Sequence, residues 1–429
     1  MERYNSYKDS GVEWIGDIPS HWDKKRFSYS FNLQKGKIPK ELTDERYSES
    51  LPYLSMSVLR GEEPNEFSTE EGLVIVHEND IGLLWDGSNS GEVIKINQTG
   101  ILSSTVSHLS SKDKKLSQDF SLYLLKFYEK DFKNNTIGMG IPHVDGDHVK
   151  ESKILIPPLS EQQQIVSFLD TKTSLIDSLI EKTQRKIELL KEKRTSLINE
   201  VITKGLNPNV EMKDSGVEWI GDIPSHWDRT KIKRHCEVKD GTHDTPQYLD
   251  IGENTVPLVT SNSFVKGEID FTVSKHISFD DYLEINRRSN VTVDDIIMSM
   301  IGSNIGNRVL VKSSQPFSIK NVCLFKTSES DSLIPKYLIY LIDSKYLKYQ
   351  IDFNQKGGGQ PFLSLDELRN LLFPFPPLSE QQQIVSYLDE QTQKIDKTIS
   401  IEEKRIELLK EYRQSLISEV VTGKRKVIE

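Results

Sequence analysis

Few side chains in these 429 residues are spaced for covalent chemistry. His235 and Cys236 are adjacent and His243 follows, a group that could begin a metal site. No second ligand pair stands at the spacing a structural zinc ion needs, so no metal is expected. Asp294 and Asp295 form a carboxylate pair beside an aliphatic run, a setting that suits a strand edge or turn better than a nuclease centre. A G-x-x-x-x-G-K-[ST] phosphate loop is absent, as is a G-x-G-x-x-G turn after a strand. The prolines of ILIPPLS and FPFPPLS do not form the Asn/Asp-Pro-Pro-aromatic motif of amino-methyltransferases. No catalytic residue is assigned, and no cofactor is expected on this chain.

A second class of candidates is polar and lies on glycine-containing turns. Lys35 and Lys37 flank Gly36; Ser88 and Asn89 lie between Gly87 and Gly91; Gly138 and Gly140 precede His143. Later in the chain come Lys239, Thr242, His243 and Gln247 in KDGTHDTPQ, then Ser303 and Asn304 between Gly302 and Gly306, and Lys356 and Gln360 around three glycines. Asn, Gln, Lys and Arg are the side chains that read base edges, while hydroxyls and backbone amides hold phosphates. Glycine lets a backbone come close to a ligand. These positions are candidate DNA contacts.

The elements that must position them occur twice. KDSGVEWIGDIPSHWD stands at residues 8–23 and again, unchanged, at 213–228. Asp80-Ile81 and Gly87-Ser88-Asn89-x-Gly91 return as Asp295-Ile296 and Gly302-Ser303-Asn304-x-Gly306. Gly138-x-Gly140-x-Pro142 returns as Gly357-x-Gly359-x-Pro361, and LSEQQQIVSFLD at 159–170 as LSEQQQIVSYLD at 378–389. The offset between copies grows from 205 to 215 and then to 219, so insertions fall in the middle of the second copy. Constant ends around diverged middles describe one scaffold carrying two binding surfaces. Trp14, Ile18 and Trp22 in the repeated element read as packing residues rather than as a base-stacking platform.

Each copy ends in a long helix. Pro157-Pro158 and Pro376-Pro377 stop the preceding chain. Ser160 and Ser379 then read as N-caps, with Gln163 and Gln382 completing a capping box and Glu161 and Glu380 at the positive end of the helix dipole. Heptad spacing carries Leu169, Ile176, Ile180, Ile187, Leu190 and Leu197 in the first helix, and Leu388, Ile395, Ile399, Ile406, Leu409 and Leu416 in the second. Such a run is a coiled-coil seam, and some 44 residues would make a rod of roughly 65 Å. A parallel, in-register pair would bury Arg194 against Arg413. An antiparallel pair centred on Thr183 and Glu402 instead puts each arginine within one layer of Thr392 or Thr173, so antiparallel pairing within the chain is expected.

The middles, 24–158 and 229–377, mix short β-branched runs (Leu73–Val76, Val93–Ile96, Asp295–Met300, Arg308–Val311) with helical stretches at Gln118–Tyr128 and Ile334–Leu347, an α+β pattern. Hydrophobic content is 36% and charged content 28%, and no apolar stretch is long enough to span a bilayer. The polar start MERYNSYKDSG lacks the apolar region of a secretory signal. With two cysteines only, Cys236 and Cys323, a disulfide framework is not expected. These features point to a reducing cytoplasm. The net charge of −10 is a counterweight to DNA binding. Residues 24–158 carry 17 basic and 20 acidic side chains, and 229–377 carry 18 of each, so any positive face must come from sorting charges in space. Binding by the chain alone should be modest and salt-sensitive.

The order GVEWIGDIPSHW, variable middle, glycine-rich loop, PPLSEQQQIVSFLD, heptad helix, all stated twice, resembles the specificity subunit of type I restriction–modification systems. DGTHDTPQY and MIGSNIG are similar to that family's target recognition domains; the first copy has only Lys35-Gly36-Lys37-Ile38-Pro39 in place of the GTH turn. The resemblance implies an α+β fold with two pseudo-symmetric recognition domains joined by two long helices in an antiparallel coiled coil. It implies boundaries at 1–158, 159–205, 206–377 and 378–429. It further implies double-stranded DNA as ligand, each domain reading half of a bipartite site, and two methyltransferase subunits as partners that use S-adenosylmethionine. ATP- and Mg2+-dependent restriction subunits would complete the assembly in a bacterial or archaeal cytoplasm.

Overall fold

The computed structural model describes residues 3–427. Contacts divide these into two compact units, one running to Thr183 and resuming at Lys404, the other spanning Gln184–Glu403. Each long helix therefore lends its two halves to different units.

In the first unit a four-stranded antiparallel sheet runs in the order Phe31–Lys35, Val106–Ser111, Ile81–Leu84, Val93–Lys95. The second unit repeats that order with Val238–Asp240, Val322–Phe325, Ile296–Ser299 and Arg308–Leu310. Three of the four central strands, Ile81–Leu84, Ile296–Ser299 and Val322–Phe325, are short, largely apolar runs because both of their faces are covered, while Val106–Ser111 carries serines and His108. With side chains alternating across the pleat, Ile81 and Leu83 enter the core shared with the helices while Leu84 enters a second core. Ile296 and Met298 likewise face the helical core and Ile297 the other. Each unit has a second sheet, four-stranded in the first and three-stranded in the second, containing a parallel pair, Leu51–Leu54 with Gly100–Leu102 in the first unit and Thr255–Val259 with Ser318–Ile319 in the second.

The ends of each middle close on themselves. Asp23–Arg26 pairs antiparallel with Lys153–Ile156, and Asp228–Lys231 with Leu372–Phe375. The insertions in the second copy have visible causes. Extra residues between Gly267 and Asp295 form the helix Phe279–Ser289. The expected helix over Ile334–Leu347 is instead two helices, Pro335–Asp343 and Lys345–Phe353, broken at Ser344, whose hydroxyl caps the second by accepting from Leu347 N. The first unit has one unbroken helix there, Gln118–Asn134.

The long helices span Leu159–Lys204 and Leu378–Val421. Both begin two residues earlier than the capping-box reading places them, so Ser160 and Ser379 lie in the first turn and the prolines supply the first carbonyls, Gln162 N donating to Pro158 O at 3.0 Å and Gln381 N to Pro377 O at 3.0 Å. The glutamines that anchor these starts are the fully buried Gln162 and Gln381, not Gln163 and Gln382. Gln162 accepts from Ser117 N and donates to Lys115 O and Pro157 O; Gln381 accepts from Ile334 N and donates to Ser332 O and Pro376 O. Each glutamine thus ties a long helix to the helix packed beside it.

Pairing is antiparallel. In the first unit Ile165, Leu169 and Ile176 share a core with Leu416, Ile417 and Val420, and Arg413 Nε donates to Asp177 Oδ1 at 2.9 Å. In the second, Ile198 and Ile202 pack with Ile384 and Leu388, Arg194 Nε donates to Asp396 Oδ1 at 2.9 Å, and Lys186 Nζ reaches Glu402 Oε1 at 2.6 Å. Each arginine lies one helical turn from the threonine of the sequence reading, because an aspartate on the facing helix takes its charge. Of the heptad residues, Leu169, Ile176, Ile187, Leu388, Ile395, Ile399, Ile406 and Leu416 are buried, while Ile180, Leu190, Leu197 and Leu409 are half-buried.

Candidate nucleic-acid interface

The repeated element is a joint. Trp22 and Trp227 are fully buried, and their indole Nε1 groups donate to Glu161 Oε2 and Glu380 Oε2, each at 2.9 Å. His21 and His226 hold the other oxygens of the same carboxylates at 2.5 and 2.7 Å. Trp14 packs its ring 5.1 Å from Phe127 and stays 46% exposed, an edge rather than an anchor. The helices end at matching glycines, Gly205 and Gly423, both with left-handed φ near 70°. A Cβ on Gly205 would stand 3.0 Å from the Trp227 ring, and one on Gly423 would stand 2.4 Å from Pro19.

Away from this joint, each unit gathers its glycine-rich loops. In the first unit Gly87 N donates to Pro142 O at 3.0 Å, seating the turn with Ser88 and Asn89 against the Thr136–Ile137/His143–Val144 hairpin that carries Gly138 and Gly140. Ser88, Asn89, Gly138, Gly140 and His143 are all exposed. In the second unit Gly302 N donates to Pro361 O at 2.8 Å, so Ser303 and Asn304 meet the loop of Lys356 and Gln360 in the same way. Sequence matching marks these glycines as recurring but not the contact between their loops, which joins residues some 55 apart in the chain.

Carboxylates organise the basic groups. Asp86 binds Lys35 Nζ at 2.7 Å through Oδ2 and His143 Nδ1 at 2.6 Å through Oδ1. Burial opposes ionisation of Asp86, but the hydrogen bonds and charges of Lys35 and His143 prevail and hold its carboxyl below the ordinary aspartate range. In the second unit the buried Asp240 takes His243 Nε2 at 3.0 Å and the Arg288 guanidinium. His243 Nδ1 also meets Asn321 Oδ1 at 3.1 Å, and Lys320 reaches Thr245. Lys35-Gly36 and Asp240-Gly241 occupy equivalent sites: a Cβ on Gly36 would stand 2.2 Å from Ser103 O, and one on Gly241 2.0 Å from Ile319 O. Asp86, Arg288, Lys320 and Asn321 were not among the sequence candidates. The left-handed φ of Asn321, 56°, belongs to a residue type that tolerates it, but nothing local signals its partner.

The remaining candidates fall less centrally. Lys37 and Gln247 are exposed on their loops. Lys239 sits within a sheet strand, paired to Glu237 at 3.1 Å, and Lys356 is held by Glu367 at 2.6 Å. Thr242 N is bound to Ile319 O. His235 gives its ring nitrogens to Ser332 and Thr230 at 3.0 and 2.9 Å, away from the His243 cluster. Burial pushes the Cys236 thiol up to about 12. Among the described residues no group of His, Cys, Asp and Glu is placed to hold a metal ion, and no helix is long and apolar enough to cross a membrane. The Asp294-Asp295 pair is structural: Asp295 is buried in an ion pair with Lys326 at 2.7 Å.

A profile of the type I restriction modification DNA specificity domain matches residues 19–189 and 224–411. The chain is 31% identical over 418 residues to the MjaVIII type I restriction enzyme specificity subunit of Methanocaldococcus jannaschii, covering 96% of this chain and 94% of that one. In fold it is similar to a chain from a structure of the assembly and conformational transition of a type I restriction–modification system (TM-score 0.73, 16% identity, 95% of this chain and 99% of that one). It is also similar to the HsdS subunit from Thermoanaerobacter tengcongensis (TM-score 0.52, 16% identity, 95% and 98%). With both of its repeats matched and nearly its full length shared with a specificity subunit, this chain belongs to the family of type I restriction–modification DNA specificity subunits.

Proposed function

We propose that each unit reads one half of a bipartite DNA site through its paired glycine-rich loops, and that the long helices set the spacing between the halves and dock two methyltransferase subunits. The observation that carries this reading is the recurrence of one loop pairing, Gly87 N to Pro142 O and Gly302 N to Pro361 O, which keeps its Ser-Asn turn while the flanking pair changes from Asp86 and His143 to Ile301 and Phe362. A scaffold that repeats while residues around its loops change is what two independent readers require. The chain supplies no reacting group in this scheme. S-adenosylmethionine serves the methyltransferase partners, which modify adenine after flipping it from the duplex; ATP and Mg2+ serve the restriction subunits. The assembly works in the bacterial or archaeal cytoplasm, and the partners add the phosphate contacts that a chain of net charge −10 needs.

Because Asp23–Arg26 and Lys153–Ile156 pair at the ends of the first middle, residues 24–158 form an insert with adjacent ends. Exchanging them for the equivalent segment of another family member should change the first half-site of adenine methylation, mapped genome-wide, and leave the second half and its methylation intact. A change in both halves would defeat the modular reading.

Lys35 is an exposed cation of the first loop cluster, held by Asp86 at 2.7 Å, and a lysine so placed suits a phosphate. Lys35→Ala should weaken binding of the assembled methyltransferase alike on cognate and altered first half-sites. It should reduce the slope of log K against log salt by about 0.9. A loss confined to one base pair would instead assign Lys35 to base reading.

A further inference from the structure

The two units differ at a place that the recognition loops do not use, fully buried in the second unit and partly open to solvent in the first. In the second unit the Lys326 ammonium is enclosed and binds Asp295 Oδ2 at 2.7 Å, Asn290 O at 2.7 Å and Thr292 Oγ1 at 3.0 Å. The first unit keeps the carboxylate and its backbone frame. Asp80 Oδ2 accepts from His77 N at 2.8 Å, as Asp295 Oδ2 accepts from Thr292 N at 2.9 Å. The preceding residues, Asn79 and Asp294, share a left-handed φ of 73° and 70°. Strand register identifies the lysine's counterpart. Leu109 faces Ile81 as Phe325 faces Ile296, so the next residue, Ser110, stands where Lys326 stands.

Ser110 is too short to reach Asp80, and the space is a cavity of about 370 Å³. Asp80, Ser110, Ser111 and Gln118 give it a polar side, and Phe31, Ile81, Leu109 and Leu116 an apolar one. Gln118 Nε2 donates to Asn79 O at 2.9 Å and Asp80 Oδ1 at 3.3 Å, and His108 Nε2 lies 3.3 Å from Asp80 Oδ2. Burial lowers the His108 pKa despite the pull of Asp80, so near neutral pH the imidazole is a weak substitute for a lysine's fixed charge.

We propose that this cavity of the first unit is a binding site for a primary alkylammonium group, such as one end of a diamine or polyamine. The ammonium takes on Asp80 the role that Lys326 takes on Asp295, and the alkyl chain lies on the apolar side. Asp80 precedes the strand Ile81–Leu84 and Asp86 follows it, so the site is at the opposite end of that strand from the recognition loops. The ligand therefore acts on the stability of the first unit, not as a DNA contact.

The test is a ligand-observed saturation-transfer NMR titration of the complete chain, without DNA, using n-butylammonium, with tetramethylammonium as a cation of equal charge and no N–H. A saturable butyl signal that tetramethylammonium does not displace is expected. Ser110→Lys, which supplies the internal amine, should cut the signal at least fivefold and raise the unfolding temperature. Asp80→Asn, which keeps the shape of the site, should cut it similarly without that rise. No saturable signal in the parent chain, or a signal that either folded variant retains in full, would overturn the assignment.

Discussion

Replacing Lys326 by methionine is expected to destabilise the second unit by about 3–5 kcal/mol, the cost of leaving one member of a buried ion pair without its counter-charge. Both side chains are fully buried and 2.7 Å apart. After the substitution Asp295 keeps hydrogen bonds from Thr292 N at 2.9 Å and from Ser328 Oγ at 2.7 Å, but no cation faces it. Removing both charges together, as Asp295→Asn with Lys326→Met, should recover most of the loss, because an enclosed pair gains little net stability over a neutral pair of similar volume. Urea denaturation followed through Trp219 and Trp227, the two tryptophans of this unit, measures the effect. A midpoint unchanged by the single substitution would mean that water reaches Asp295.

The second large effect is expected at the joint. Trp22→Ala and Trp227→Ala should each cost about 3–5 kcal/mol, the range for removing a fully buried large aromatic side chain. Trp22 packs in one core with Ile18, Val420 and Val421, and Trp227 with Ile223, Val201 and Ile202. The substitution also removes the indole donors to Glu161 and Glu380. Phenylalanine at either position separates the two contributions. It keeps most of the apolar contact and loses one hydrogen bond to a charged group, about 1.5–3 kcal/mol. Equal losses for phenylalanine and alanine would place the whole effect in the hydrogen bond and none in packing. Hydrogen exchange at amides of Ile165–Leu169 reads the first unit separately from the second.

Both experiments probe features that differ in how openly the sequence states them. The repeated element announces a joint by its identity in two places. Trp22 and Trp227 are nonetheless defined by Glu161 and Glu380, some 139 and 153 residues away. Those glutamates had a sufficient local explanation in the helix dipole, which concealed their second role. Gln162 presents the same difficulty. Its neighbour Gln163 satisfies a capping pattern on paper, but the helix starts two residues earlier and the side chain that turns inward is the one that finds buried partners in Ser117 N and Lys115 O.

What the chain's order of residues determined by itself was whatever rests on periodicity and repetition. Heptads produced the seam and its antiparallel sense, since like charges at Arg194 and Arg413 cannot share a buried layer. Duplicated glycines located the two loop clusters, because a left-handed turn such as that of Gly87 or Gly302 restricts residue choice locally. Tertiary structure alone decided which charges meet. Asp177 with Arg413 across the two long helices, and Asp86 with Lys35 and His143, Asp240 with Arg288, and Asp295 with Lys326 around the short strands, are brought together from places far apart in the chain. An acidic side chain carries no mark of its partner until folding removes water from around both. The joint and the rod were therefore legible in outline, while the charge pairs that tell one unit from the other became visible only in the folded chain.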